Sequence, residues 1–514
     1  MKNRFKNRNI NKAKNKASTH VEKDVIDKVG KYNLSELSII SYRQDKDESA
    51  PKFIDIKGIT LTMSITEDIF SDSIVGSVTV YDMQDIRSIL PLTGLERLSL
   101  KFSTPGLPGY DFSEDNGIPF HIYKVDQVRK DTTSNYGQFY KLYFCSPEIY
   151  NNFVTTVSKA YAGPIEVAVE DILRQQKYLN SKKVFLFEAT ATNAKYIIPN
   201  LKPLEAIKFL CSKSIAGKYN NAGYLFYETS KGYNFRSLES MLAMNGTVAR
   251  PTRWNYNTKI VRVKDSKKEE VKDIEARLMT VIRYEFSKPV DMVTNIINGL
   301  YANKLTVHNA FNKTLETHDF NYAANFQTQF HLESTGEATD IDKMITPDAN
   351  LNDTGKALFE NPDSKSMLVS ETSKIHNAYE FTPVKDTLQK IMSQRAAYRN
   401  MNLSMLVYGN TNLNAGDVIN FSSPILQPGD KLEENEYTSG RYLIMALKHT
   451  ISVETGTHEM VLRCCKDSVR TPLPSESDPL LVGKEKDKTY NIYDIDEKVN
   501  TIQRISENPR VRRT

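Results

Sequence analysis

Between residues 59 and 66 apolar and hydroxyl side chains alternate without a break. Ile59, Leu61, Met63 and Ile65 are separated by Thr60, Thr62, Ser64 and Thr66. A repeat of two places every second side chain on one face, so this stretch predicts a strand with one buried side and not a helix. The polar turn Ser71-Asp72-Ser73 leads into a second such run over 74–81, and Leu98, Leu100 and Phe102 alternate with Ser99 and Lys101 in a third. Two more strands are expected near Phe120–Val128 and Phe139–Cys145, with loops rich in Gly, Pro, Asp and Ser between them. Short strands at even spacing predict a barrel or a sandwich.

A chain of 514 residues exceeds what one hydrophobic core serves, so more than one domain is expected. Past the first β-region, Gly163-Pro164 is a helix start, with Ile165, Val169, Ile172 and Gln176 at helical spacing up to Tyr178. A second helix is expected from Pro203, with Leu204, Ile207 and Leu210/Cys211 on one face, ending near Gly217. Tyr224–Glu228 and Tyr233–Arg236 read as a hairpin across Ser230-Lys231-Gly232. A second β-region opens near Leu278, with strands at Met279–Phe286 and Lys304–Asn309, and Ser73–Asp82 and Leu300–Asn309 look like counterparts. Residues 334–375 are poor in large apolar side chains and read as a long excursion. Thr382-Pro383 caps a further helix with Val384, Leu388 and Ile391 on its buried side, and strands return at Leu403–Tyr408, Val418–Ser422, Tyr442–Val453 and Glu459–Cys464.

The expected fold is therefore mainly β (α+β), with two antiparallel β-barrel domains carrying helical and hairpin insertions. The expected organisation is a basic flexible arm over 1–35, a first barrel over 36–160 and a helical and hairpin insert over 161–275. The first part of a second barrel follows over 276–333, then a flexible excursion over 334–380. The second barrel is completed with a C-terminal β module over 381–475, and 476–514 form a polar and basic tail.

The chemistry-bearing residue types do not assemble into a local motif. The eight histidines show no HxxxH, HExxH or HxH spacing, which removes a zinc site built on one segment. No GxxxxGK[ST], GxGxxG or GxSxG occurs. Cys145, Cys211, Cys464 and Cys465 form no CxxC pair and read as reduced, apolar side chains, the last two pointing to opposite faces of a strand. Acid pairs such as Glu67/Asp68 and Glu433/Glu434 read as solvated charge. No catalytic, cofactor-binding or metal-ligating residue is assigned, and no cofactor is expected.

The formal charge of +5 misleads, because the first 20 residues hold seven of the 68 bases and no acid. The rest carries two more acids than bases, which does not indicate a diffuse nucleic-acid surface. The arm itself reads as a solubilising tail, or one that orders on a partner, ahead of a phosphate-binding segment. No run of about 18 apolar residues and no signal-peptide core are seen, so membrane insertion is not expected and synthesis in a cytoplasm is.

Three stretches resemble the central baseplate hub proteins of contractile-tail, T-even-like bacteriophages, which are related to the hub module of type VI secretion spike proteins. They are ITEDIFSDSIVGSVTVYDMQDIRSILPLTGLERLSLKFST at 65–104, IINGLYANKLTVHNAFNKTLETHDFNY at 296–322, and the 403–453 stretch holding YGNTNLNAGDVINFSSP and TSGRYLIMALKHTI. The first is similar to the family's first tube-like barrel and the second to its second barrel. The resemblance implies a non-enzymatic structural protein of the virion tail. It implies a homotrimer whose six barrels join a sixfold tail tube to a threefold central spike around a genome channel. Implied partners are the spike, the tube protein, baseplate wedge proteins and the tape measure protein, with DNA passing through unread. The competing readings are the base of another contractile injection machine and a cell-wall-degrading tail enzyme.

Overall fold

The computed structural model describes residues 29–42, 53–90, 92–130, 137–191, 193–218, 222–242, 254–258, 277–288, 291–309, 313–326, 330–333, 360–370, 384–399, 401–424, 434–435 and 437–468. The expectations for the basic arm over 1–28 and for the tail over 476–514 lie outside the described residues. The described part is mainly β, with short helices. Its strands are dominated by antiparallel pairing.

The first β-region contributes β1 (Asn33–Ile40), β2 (Phe53–Asp55), β3 (Thr60–Asp68), β4 (Val75–Asp82), β5 (Arg97–Ser103), β6 (Tyr110–Phe112), β7 (Phe120–Lys130) and β8 (Gln138–Cys145). β1 begins inside the stretch read as an arm, because Leu37 and Ile39 alternate into the core. The sheet curls around Leu37, Ile39, Met63, Ile65, Val78, Val80, Leu98, Leu100, Phe102, Phe120, Leu142 and Phe144, all of them buried. Full burial of side chains of this size stabilises by about 1.5–3 kcal/mol each before entropy is counted. Gly76 faces Phe144 across the β4–β8 pair, and a Cβ there would overlap the ring. A glycine at this position lets the ring lie over the strand.

An insert follows, with β9 (Val157–Pro164), β10 (Phe185–Phe187), β11 (Asn193–Leu201), β12 (Tyr224–Thr229) and β13 (Gly232–Ser237). Pro164 ends β9 and serves as the N-cap of the helix Ile165–Arg174, so the helix starts one residue later than the Pro164 signal implies and stops before Gln176. The second helix is Pro203–Cys211 and ends before Gly217. The hairpin turns at Ser230-Lys231, where Gly232 takes a φ of +125°. Ile165, Val169, Ile172, Leu204, Ile207, Leu210, Tyr224 and Phe235 share a separate core.

The second β-region holds β14 (Asn255–Asn257), β15 (Val281–Lys288), β16 (Ala302–Asn309), β17 (Thr314–Asn321), β18 (Ser366–Ser370), β19 (Met401–Tyr408), β20 (Val418–Ser422), β21 (Gly440–Ser452) and β22 (Thr457–Lys466). Here the structure departs from three expectations. β16 does not join the barrel. It lies between β17 and β18 in a separate three-stranded sheet. Alternation identifies a strand but not the sheet that receives it. The stretch read as an excursion contributes β18, which pairs in parallel with β16; residues 334–359 and 371–380 lie outside the description. The helix Val384–Ala397 buries a mostly polar face of Thr387, Gln389, Ser393, Gln394, Ala396 and Ala397, whereas Val384, Leu388 and Ile391 are only half-buried. Gln389 Nε2 donates to the carbonyls of Asn303 and His318, and Ser393 Oγ to that of Leu300, so this face bonds backbone groups of the small sheet.

The two main β-regions share one strand order. The first runs β1-β5-β7-β8-β4-β3, and the second runs β14-β20-β21-β22-β19-β15. In both, the first strand in the chain lies beside the fourth, then the fifth, sixth, third and second. All pairs are antiparallel except β14–β20, and a bridge between Asn257 and Thr280 brings the ends of the second set together. Two of the irregularities in each set coincide as well. β7 slips against β8 between Ile122 and Lys124, and β21 slips against β22 between Ile444 and Ala446. β3 slips against β4 between Thr60 and Thr62, and β15 against β19 between Val281 and Arg283. The counterpart of β4 is thus β19, and not the Leu300–Asn309 segment.

Candidate functional site

The two barrels meet along one line. The first half of β21 lies between β20 and β22. Past Ile444, β20 ends and β3 of the first barrel takes its place, pairing Ala446 with Asp68, His449 with Ile65 and Ser452 with Thr62. Main-chain hydrogen bonds therefore make the two barrels one continuous sheet.

A buried polar chain crosses this joint. Glu67 continues the inward face of Met63 and Ile65, and it is buried, contrary to its reading as solvated charge. Its partner in that reading, Asp68, is half-buried; Glu434 is exposed and Glu433 lies outside the description. Glu67 Oε1 accepts from the Tyr110 hydroxyl at 2.8 Å and from the Ser230 N–H at 2.7 Å, and Oε2 accepts from the Ala415 N–H at 3.0 Å. These donors come from the first barrel, the hairpin turn and the second barrel. Burial pushes the Glu67 carboxyl up to about 7, against the pull of those donors.

Behind Tyr110 stands a histidine pair. His449 Nε2 is 3.1 Å from the Tyr110 hydroxyl, and His449 Nδ1 is 3.0 Å from His458 Nε2. With the Tyr110 proton directed at Glu67, consistent tautomers run in one direction. His458 Nε2–H donates to His449 Nδ1, and His449 Nε2–H donates to Tyr110. Burial holds both imidazoles neutral: His458 is lowered to about 3, and His449 falls well below its ordinary value. Gly409 lies against the His458 ring, where a Cβ would overlap it. No two-histidine spacing announced this pair. The β21–β22 hairpin brings the rings together, and the inward position of Glu67 on β3 was the only legible signal.

The insert is fastened to the first barrel by a second buried cluster. Lys183 Nζ donates to Glu148 Oε2 at 2.8 Å and to Glu228 Oε1 at 2.6 Å, and all three side chains are buried. Ser181 Oγ donates to Glu148, and Ser146 Oγ and the Ile74 N–H donate to Glu228. Desolvation works against the Lys183 charge, but the two carboxylates outweigh it and hold the ammonium above its ordinary value. A third anchor fixes residues 331–333 at the end of β22. His331 Nδ1 is 2.8 Å from Asp467, the Leu332 N–H donates to Asp467, and Glu333 accepts from the Arg441 N–H beside the Lys466 ammonium.

These enclosed clusters hold elements together. Among the described residues no group of three or more His, Cys, Asp or Glu side chains is arranged to hold a metal ion, and no helix is long and apolar enough to cross a membrane. The four cysteines are free and buried, Cys464 in the second barrel's core and Cys465 in the layer against the hairpin. The glycines of the Asn414–Asp417 and Ser439-Gly440 turns take φ values of +90° at Gly416 and +126° at Gly440.

The architecture is that of a mainly β protein with two joined barrels and an inserted helical module. No protein-family model matches the sequence, and no curated protein matches it. Among solved structures it is similar to the tail protein from Neisseria meningitidis MC58, at 10% identity over 85% of this chain and 97% of that one, with a TM-score of 0.47. It is also similar to the 43 kDa tail protein of prophage MuSo2 from Shewanella oneidensis, at 8% identity over 84% and 98%, TM-score 0.46. The E. coli c3393 protein, a component of the type VI secretion system, aligns at 10% identity over 81% and 76%, TM-score 0.37.

Proposed function

We propose that this chain is a structural hub of a contractile-tail baseplate in the virion, acting by assembly and not by turnover. Three copies would form a ring of six barrels, able to meet a sixfold tube on one side and a threefold spike on the other around a channel for DNA. The observation that carries the reading is the pair of barrels with one strand order and shared register slips, joined edge to edge in one sheet. Two near-equivalent barrels per chain give a threefold ring approximate sixfold character, which a single barrel per chain would not supply. The joint also covers edge strands that would otherwise invite uncontrolled pairing. A head-to-tail contact that closes as a ring limits assembly to a fixed size.

The experiment is to mix the purified chain with the tail tube protein and the central spike protein of the same virus and to image the products. A complex with the chain as a six-lobed ring between tube and spike is expected. Failure to bind either protein would contradict the proposal.

A further inference from the structure

Each half of the joint inside the chain has a counterpart with no strand partner among the described residues. Correspondence of the barrels equates β7 with β21 and β15 with β3. The equation extends to the approach of the fourth strand. Ile122 N–H donates to the Glu96 carbonyl at 2.9 Å, and Ile444 N–H donates to the Asp417 carbonyl at 2.9 Å. Each acid also caps its own turn, Glu96 accepting from the Thr93 N–H and Asp417 from the Asn414 N–H. β5 pairs with β7 only at Phe120 and His121, just as β20 leaves β21 before Ala446. In β21 the vacated side is filled by β3. In β7 the same side, from Lys124 onward, has no strand among the described residues. The counterpart of β3 is β15, and its side away from β19 has no strand pair among the described residues either.

We infer that β7 of one copy pairs antiparallel with β15 of a second copy of this chain, in the register that joins β21 to β3; the inference rests on the ring reading and supplies its contact. The register transfers through the partner strands, across one further slip of β7 between Asp126 and Arg129, where Gln127 takes a φ of +55° and β21 has no counterpart. Arg129 faces Phe139 as Thr450 faces Glu459, and Glu285 faces Ser404 as Ser64 faces Ser77. Thr450 pairs with Ser64 across the internal joint, so Arg129 of one copy stands across from Glu285 of the next. This cross-strand pair is of opposite charge, the favourable arrangement for directly opposed residues. Each edge also exposes large apolar side chains, Tyr123 and Val128 on β7 and Ile282 and Tyr284 on β15, between 38% and 46% accessible. Such edges are ordinarily blunted or covered.

Directly opposed residues of an antiparallel pair have Cα atoms about 4.5–5.5 Å apart, within disulfide reach, while diagonal neighbours are about 7–8 Å apart and outside it. The test is therefore a full-length chain with Arg129→Cys and Glu285→Cys, oxidised mildly and run on a non-reducing gel, beside a diagonal control with Arg129→Cys and Arg283→Cys. The native cysteines are buried, so background is low. The expected result is conversion of most of the first variant to multi-chain species released by reductant, at least tenfold more than for the control. If the unmodified chain assembles in solution but neither variant links, or both link equally, this pairing is wrong and the ring forms through another surface. If the unmodified chain stays single, with and without tube and spike proteins, and nothing links, the pairing and the ring reading fall together.

Discussion

His449 Nδ1 stands 3.0 Å from His458 Nε2, and both rings are fully enclosed where the second barrel meets the first. Two neutral imidazoles in an apolar surround carry a penalty that acid exposes. A histidine whose folded pKa is depressed contributes stability above its ordinary value of about 6.5, lost as pH falls toward the folded value. Stability against urea is therefore expected to fall as pH drops below about 6.5, with His458 titrating toward about 3. His449→Gln should flatten that dependence. A flat profile in the unmodified protein from pH 4 to 7 would contradict the account.

Glu67 works in the opposite sense. Its folded value, about 7, lies above its ordinary 4.5, so its contribution is full at low pH and is lost as pH rises through about 7. In the window between about 4.5 and 6.5 it offsets part of the histidine effect. Glu67→Gln removes the offset, and the acid dependence of stability should steepen. The variant should also lose about 1–3 kcal/mol at neutral pH, because an amide cannot accept from all three donors. Urea titrations at several pH values measure both.

Lys183 lies between Glu148 and Glu228, and all three side chains are buried. Lys183→Met leaves two carboxylates in a buried site, and removal of one partner from a buried ion cluster costs about 3–5 kcal/mol. Denaturant midpoints should fall accordingly. A loss below about 1 kcal/mol would show that the carboxylates are far better solvated than their burial indicates.

Gly440 combines a φ of +126° with a position where a Cβ would overlap Glu333. Gly440→Val strains the backbone and displaces the acceptor of the Arg441 N–H, at an expected cost of about 2–3 kcal/mol. Gly416→Val would likewise meet the Tyr227 hydroxyl. Both variants should show less folded or less assembled protein by thermal melting and sedimentation.

The alternating segments of the first barrel were legible because each buries one face: Met63 and Ile65 in β3, Val78 and Val80 in β4, Leu98 and Leu100 in β5. The correspondence of the barrels was not. β4 and β19 align through register slips and cross-strand partners, while their sequences, VGSVTVYD and MNLSMLVY, share little beyond alternation. Leu300–Asn309 matched the pattern equally well and entered another sheet. The polar buried face of Val384–Ala397 escaped because Gln389 and Ser393 are buried by bonding backbone carbonyls, which no hydrophobic pattern records. The joint itself was hidden for the same reason. Its residues are 348 positions apart where Ala415 meets Glu67, and the histidine pair exists only once the hairpin forms.

The proposed ring is threefold. Light scattering coupled to size exclusion, at micromolar concentration and moderate salt, measures it most directly. A mass three times that of the 58.6 kDa chain, unchanged on dilution through the micromolar range, or three chains plus the bound spike when the spike protein is added, is the predicted result. A single-chain mass, with and without tube and spike proteins, would contradict it.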